Sequence, residues 1–139
     1  MSQSITLATP ASISLSTLTS GIPENLAIKK VFDGEVLLGD VASYVRVYAA
    51  PNVKATADEY RENDDLDVAF RQSLSDKIFY RVSFNDVALL RASLAKMFQG
   101  IGPLIADCWI DTDYGWVMSG TAFAARLKDP SWDWRRPAQ

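Results

Sequence analysis

An α+β domain built on a mostly antiparallel sheet is the fold class that this sequence predicts. Three observations carry the expectation. Strand-like segments come in runs followed by helical ones, rather than alternating with them as a doubly wound α/β sheet requires. Asp33-Gly34 stands between apolar, β-branched residues, and Asp-Gly in that setting marks a hairpin, which joins antiparallel strands. A segment from about residue 86 to 98 carries the apolar stripe of one long helix packed on a sheet face. With 139 residues, 48% hydrophobic and 22% charged, the chain is expected to form a single domain over 1–139, since domains run about 100–150 residues.

Residues 1–28 carry one charged side chain, Glu24, and are rich in Ser and Thr. Within them Ser-Ile-Ser-Leu-Ser alternates, placing Ile13 and Leu15 on one side, so residues 1–20 are either an edge strand or a flexible leader. Ser20-Gly21-Ile22-Pro23 reads as a turn, because Gly reaches unusual backbone angles and Pro fixes its own. A new element begins near Asn25. Past Asp33-Gly34 a second turn falls at Gly39-Asp40, followed by a strand with Val41, Val45 and Val47 on one face and Tyr44, Arg46 and Tyr48 on the other. Pro51 closes it.

Residues 52–76 change character. Asp58, Glu59, Glu62, Asp64, Asp65 and Asp67 crowd ten positions against Arg61 alone. Two readings stand: a solvated loop feeding a helix near 65–75, capped by Asp64 or Asp65, or an acidic docking surface for a basic partner. Leu66, Phe70 and Leu74 recur at four-residue spacing and should face inward. Lys77 to Phe84 alternates as a strand with Ile78, Tyr80, Val82 and Phe84 on one face.

The long helix follows. Ser83 and Asp86 have capping-box spacing with Asn85 as a competing cap, Val87, Leu90, Leu94, Met97 and Ile101 form the stripe, and Gly100, Gly102 and Pro103 stop it. Residues 106–120 read as strand, turn and strand. Asp107, Trp109, Asp111 and Asp113 then project to one face, and Ala106, Cys108, Ile110 and Thr112 to the other. A short helix at 121–128, begun by Ser119 or Thr121, turns Phe123 and Leu127 inward before Pro130, and Trp132 and Trp134 imply a tail docked on the body.

Composition narrows function. The chain has no histidine, which removes the commonest general base, the Ser-His-Asp and Cys-His arrangements and His-containing metal sites. It has no GxxxxGK[ST] and no GxGxxG loop to cradle phosphate. A net charge of -3 argues against nucleic acid, which needs a basic surface. The one cysteine, Cys108, forms no internal disulfide, and neither a signal peptide nor an apolar membrane span is expected, so a cytoplasmic setting follows. Cys108 reads as a small buried hydrophobe.

Asp111-Thr112-Asp113-Tyr114-Gly115 has the opening of a calcium loop, but Trp116 takes the sixth position, where a glycine belongs, and Ala122 the twelfth, where a glutamate belongs. No metal or cofactor is expected. Paired aspartates on one strand face would lie about 6.5–7 Å apart, a spacing open to glycoside hydrolysis. One short hairpin leaves little wall for a sugar cleft, and no catalytic constellation stands out.

The expected function is therefore a non-catalytic protein-binding module, of an acidic inhibitor or immunity type, that docks on a basic partner. Its candidate contact residues are Asp58, Glu59, Asp64, Asp65, Asp67, Asp107, Trp109, Asp111, Asp113 and Trp116. The alternative is a small-molecule binding domain whose pocket, between sheet and long helix, is lined by Tyr44, Tyr48, Tyr80, Trp109, Tyr114 and Trp116. An obligate homo-oligomer is the third possibility.

Overall fold

The computed structural model describes residues 3–135. The chain runs β1 (Gln3–Pro10), α1 (Leu15–Thr19), β2 (Lys29–Phe32), β3 (Glu35–Gly39), β4 (Tyr44–Ala49), α2 (Val53–Arg61), α3 (Val68–Gln72), β5 (Lys77–Phe84), α4 (Val87–Ile101), β6 (Trp109–Asp111), β7 (Val117–Ser119) and α5 (Gly120–Leu127). Among the described residues the strands form one sheet in the order β2-β3-β4-β5-β1-β6-β7, with every neighbouring pair antiparallel. This is a single α+β domain with the long helix on one sheet face, as the patterning predicts.

The amino terminus departs from expectation. β1 is neither an edge strand nor a flexible leader: it pairs with β5 on one side and β6 on the other, and Ile5 through Thr9 are buried. Both faces of this strand are covered, so its threonines lie in the interior, where composition alone reads them as solvated. Residues 1–2 lie outside the described residues. The serines after Ile13 do not mark a strand. Ser14 caps α1, its hydroxyl accepting from the Thr17 amide, and the turn buries Ile13 and Leu18.

Asp33-Gly34 makes the β2-β3 hairpin, with Gly34 at φ 77°. In the next turn Asp40 accepts from the amides of Ala42 and Ser43, which puts Val41 at the apex, 96% exposed. Val41 therefore does not share the buried face of Val45 and Val47. Residues 53–61, expected as loop, are helix α2, because Asn52 caps it by accepting from Ala55 and Asp58 bridges Lys54 and Arg61 along its surface. Only Ala57 of α2 is buried, so there was little apolar stripe to read. The cap of α3 is Asp67, not Asp64 or Asp65, and Leu66, Phe70 and Leu74 do face inward. The expected 65–75 helix is α3 plus a 3-10 turn at Leu74–Asp76.

Asp86 is itself the cap of α4, accepting from Leu89, and the helix continues past residue 98 to Ile101. Gly100 is admitted by packing. A Cβ there would lie 2.8 Å from the Cα of Gly21, so two glycines let α4 and the segment after α1 touch through their backbones. Gly102, at φ 59°, then ends it. α5 is capped by Ser119, whose hydroxyl accepts from Ala122.

The sheet has two unequal faces. On the main face α1, α4 and α5 cover one large core, with Ile5, Leu7, Val45, Val47, Val82 and Phe84 from the strands against Leu90, Leu94, Met97 and Phe123 from the helices. The tail completes it. Trp134 is fully buried against Phe84 and Phe123, and Arg91 holds the approach by donating to the carbonyls of Leu127, Asp129 and Trp132. On the back face α2 and α3 cover a smaller cluster of Ala8, Ala50, Ala57, Leu66, Phe70, Leu74 and Phe79, leaving the β2-β4 end of that face open. No helix among the described residues is long and apolar enough to cross a membrane.

Candidate functional site

The candidate site lies on the back face, beside α2. Register places Tyr48, Arg81, Thr6, Asp111 and Val117 in one row across β4, β5, β1, β6 and β7. Strand partners opposite one another share a face, so Arg81, Thr6 and Asp111 all project toward α2. Tyr60, on the sheet side of α2, packs its ring edge-on to Phe70 at 5.1 Å and tilted against Phe79 at 5.7 Å. Its hydroxyl donates to Asp111 Oδ2 at 2.7 Å. A cleft of about 280 Å³ opens there, lined by Thr6, Thr56, Glu59, Tyr60, Asn63, Arg81, Asp111 and Asp113.

The β6-β7 turn shapes one wall. Asp111 Oδ1 accepts from the Asp113 amide at 2.9 Å, while Thr112, fully buried, donates its hydroxyl to the Trp116 carbonyl. Asp113 then adopts φ 67° and Gly115 φ 87°, left-handed conformations that Asp tolerates and Gly prefers. The opposite wall is α2, which brings Thr56 and Glu59 on successive turns, and the segment just past its end, which brings Asn63.

Burial first, and the Asp111 charge second, push the Tyr60 phenol well above its ordinary range. At neutral pH it keeps its proton and acts as a hydrogen-bond donor. Arg81 is half-buried on the floor and has no ion-pair partner among the described residues. The cleft thus offers carboxylates at its rim, one of them held in place by the Tyr60 phenol, and one guanidinium below. That set suits recognition of a polar, charged group by hydrogen bonds.

The structure brings some sequence-predicted residues together and separates others. Glu59, Asp111 and Asp113, from segments about fifty residues apart, line the same cleft. Asp58 sits on the flank of α2, where Lys54 at 2.9 Å and Arg61 at 3.1 Å hold its carboxyl below the usual range, the Lys54 hydrogen bond foremost. Asp64 faces Arg71 at 3.5 Å, Asp65 is exposed, and Asp67 is occupied as the cap of α3. Asp107 closes a second 3-10 segment, Gly102–Asp107, ahead of β6, at the other end of that strand from Asp111. Trp109 packs on the back face against Phe70 at 5.5 Å, whereas Trp116 packs on the main face against Trp132 at 6.5 Å. Asp111 pairs with Val117 across the turn, which keeps both on the back face and leaves Trp116, the residue before Val117, on the main face, so the two tryptophans do not form one surface.

The six aromatic residues expected to line a pocket under the long helix are likewise dispersed. Tyr80 is buried in the main core, its hydroxyl donating to the Ile13 carbonyl at 2.6 Å, and burial raises its pKa. Tyr44 and Tyr48 stand on the open part of the back face, where the Arg46 guanidinium covers the Tyr48 ring at 4.5 Å. Tyr114 is exposed in the β6-β7 turn. The sheet-facing side of α4 is filled by Leu90, Leu94 and Met97.

Tyr60, Arg81, Thr6, Thr56 and Asn63 are site residues that sequence reasoning missed. A signal existed for two of them. Ala57 and Tyr60 lie three apart where the acidic run begins, and Arg81 falls on the face of β5 opposite Tyr80 and Val82, beside Phe79, whose apolar ring marks that face as partly covered. Cys108 is buried, and burial pushes its thiol up to about 11, so it is a poor nucleophile at neutral pH. No group of three or more Cys, Asp or Glu among the described residues is arranged to hold a metal ion. No protein-family model matches the chain, and neither a curated protein nor a solved structure matches it.

Proposed function

We propose that this protein is a non-catalytic binding module, of an inhibitor or immunity type, that docks on a basic protein through the α2-α3 face and the β6-β7 turn. One observation carries the reading: Glu59, Asp111 and Asp113 converge on a single cleft although they come from distant segments. Exposed Glu62 and Asp65 extend the acidic rim beyond it. Such a surface speeds encounter with a basic partner through long-range attraction, and the cleft is sized for one side chain. A lysine or arginine of the partner would meet Glu59 and Asp113 at the mouth. The phenol of Tyr60, already committed to Asp111, keeps that carboxylate oriented. Both partners would meet in a reducing cytoplasm.

The test is a charge-reversed variant that spares structural acids. Asp67 caps α3 and Asp58 bridges two cations, so they stay; Glu59→Lys, Glu62→Lys and Asp65→Lys change exposed positions, and Asp113→Asn suits the left-handed backbone. Affinity capture from the source organism's lysate should give a stoichiometric basic partner that the wild type retains and the folded variant releases. Its association rate should fall steeply with added salt. Capture of the same partner by both proteins, with a flat salt dependence, would remove the acidic face from the account.

A further inference from the structure

We propose that the β2 edge of the sheet is a self-association surface at which a second copy of this chain pairs antiparallel. This surface lies at the opposite end of the strand order from the β6-β7 turn and is independent of the acidic face. Its apolar side chains are uncovered: Ile28 is 64% exposed, Val31 71% and Phe32 51%. An edge strand with exposed apolar residues is a template for another strand.

The backbone is set for it. Gly39 donates to the Ile28 carbonyl at 2.8 Å, and β2 pairs with β3 in the register Lys30↔Leu37 and Phe32↔Glu35. Hydrogen bonding in an antiparallel pair alternates, so Ile28, Lys30 and Phe32 bond inward to β3. The amides and carbonyls of Lys29 and Val31 therefore point away from the sheet.

The side chains choose the occupant. A two-fold axis normal to the sheet keeps each face on the same side, so Val31 can stand opposite Val31 of the second copy. That register sets Lys30 opposite Phe32 and Lys29 opposite Asp33, the latter an opposite-charge pair made twice by symmetry. Lysines on an edge ordinarily oppose pairing. Here each has a partner in the second copy, an aromatic ring for one and a carboxylate for the other. Lys29 already donates to the Thr19 carbonyl at 3.1 Å and has further donors to share.

Sedimentation velocity over a wide range of concentration tests this. The wild type should pass from monomer to dimer as concentration rises. Val31→Pro removes an outward amide, which an edge position tolerates in the monomer, and should give a folded monomer throughout. Lys29→Asp should raise the dimer Kd about tenfold or more, and adding Asp33→Lys should restore it, because the pair is only exchanged. Asp33 is not at positive φ, so lysine fits its backbone. A monomer at every concentration overturns the proposal. So does a dimer indifferent to Val31→Pro and Lys29→Asp, or a Lys29→Asp defect that Asp33→Lys deepens.

Discussion

The two faces of the sheet are built by different rules. On the main face three helices and the tail meet the strands through apolar side chains, and α4 reaches the segment after α1 so closely that two glycines touch. On the back face two helices cover only part of the sheet, and a row of Thr6, Arg81 and Asp111 runs from the covered part to solvent beneath Tyr60. The first arrangement maximises apolar burial, which is how a domain of this size reaches its stability. The second leaves polar groups half-desolvated beside an acidic rim, which costs stability unless each is bonded. Structure-making and recognition are thus divided between the faces.

Truncations on the main face should have the largest effect. Phe123 is fully buried and packs edge-on to Phe98 at 6.1 Å and to Trp132 at 5.1 Å, so Phe123→Ala should cost about 3–5 kcal/mol by denaturant unfolding. Phe70→Ala, beneath Tyr60 and Trp109 on the back face, should fall at or below the lower end of that range of about 3–5 kcal/mol, since the smaller cluster can relax toward solvent. Equal losses at both positions would mean that the back face is as tightly coupled to the core as the front. The contrast would then fail.

The same division explains what could be read in advance. The main face was legible because its signals are periodic: Leu90, Leu94, Met97 and Ile101 keep helical spacing, and Tyr80, Val82 and Phe84 keep strand spacing. β1 was missed because burial on both sides removes alternation from a Thr-containing strand, and α2 because side-chain ion pairs and an Asn cap, rather than an apolar stripe, hold it. Of the candidate site, Glu59, Asp111 and Asp113 were marked as acids of interest from their local crowding. That they share a cleft depends on α2 lying across β1 and β6, a tertiary fact with no local signature. Trp109 and Trp116 stand on opposite faces because they lie seven residues apart and the register, Asp111 opposite Val117, keeps odd-numbered positions on the back face; their closeness in sequence is not closeness on one surface.

A medium effect is expected where the back face bonds to itself. Tyr60→Phe removes the donor to Asp111, and Asp111→Asn removes the charge that accepts it. Each should cost about 1–2 kcal/mol, and the double variant should cost less than the sum by about 1 kcal/mol, the coupling expected of a hydrogen bond to a charged group. Because Asp111 also accepts from Asp113 and so shapes the turn, Asp111→Asn should weaken partner binding more than Tyr60→Phe. If Tyr60→Phe alone abolishes binding without loss of stability, the phenol itself contacts the partner.

The smallest effect separates the faces by pH. Cys108, on the main face, is raised by burial from an ordinary 9.0 to about 11, and Tyr60, on the back face, is raised from 10.0 by burial and by Asp111. Both are raised shifts, so the stability they confer is whole below the unfolded pKa and is lost as pH rises through the folded one. For Cys108 the loss begins near pH 9 and is complete once pH passes about 11. For Tyr60 it begins about one unit higher, with the higher unfolded tyrosine pKa. Measuring the unfolding midpoint at successive alkaline pH values should therefore show Cys108→Ala flattening the early part of the decline and Tyr60→Phe the later part. Each substitution also lowers stability at neutral pH by a constant amount, so slopes are compared rather than midpoints. Should Cys108→Ala leave the early slope unchanged, the thiol titrates at its unfolded pKa in the native protein, which requires solvent at the joint between the 3-10 segment and β6. A thiol reagent would then label the native protein at neutral pH, whereas a closed core admits it only on unfolding.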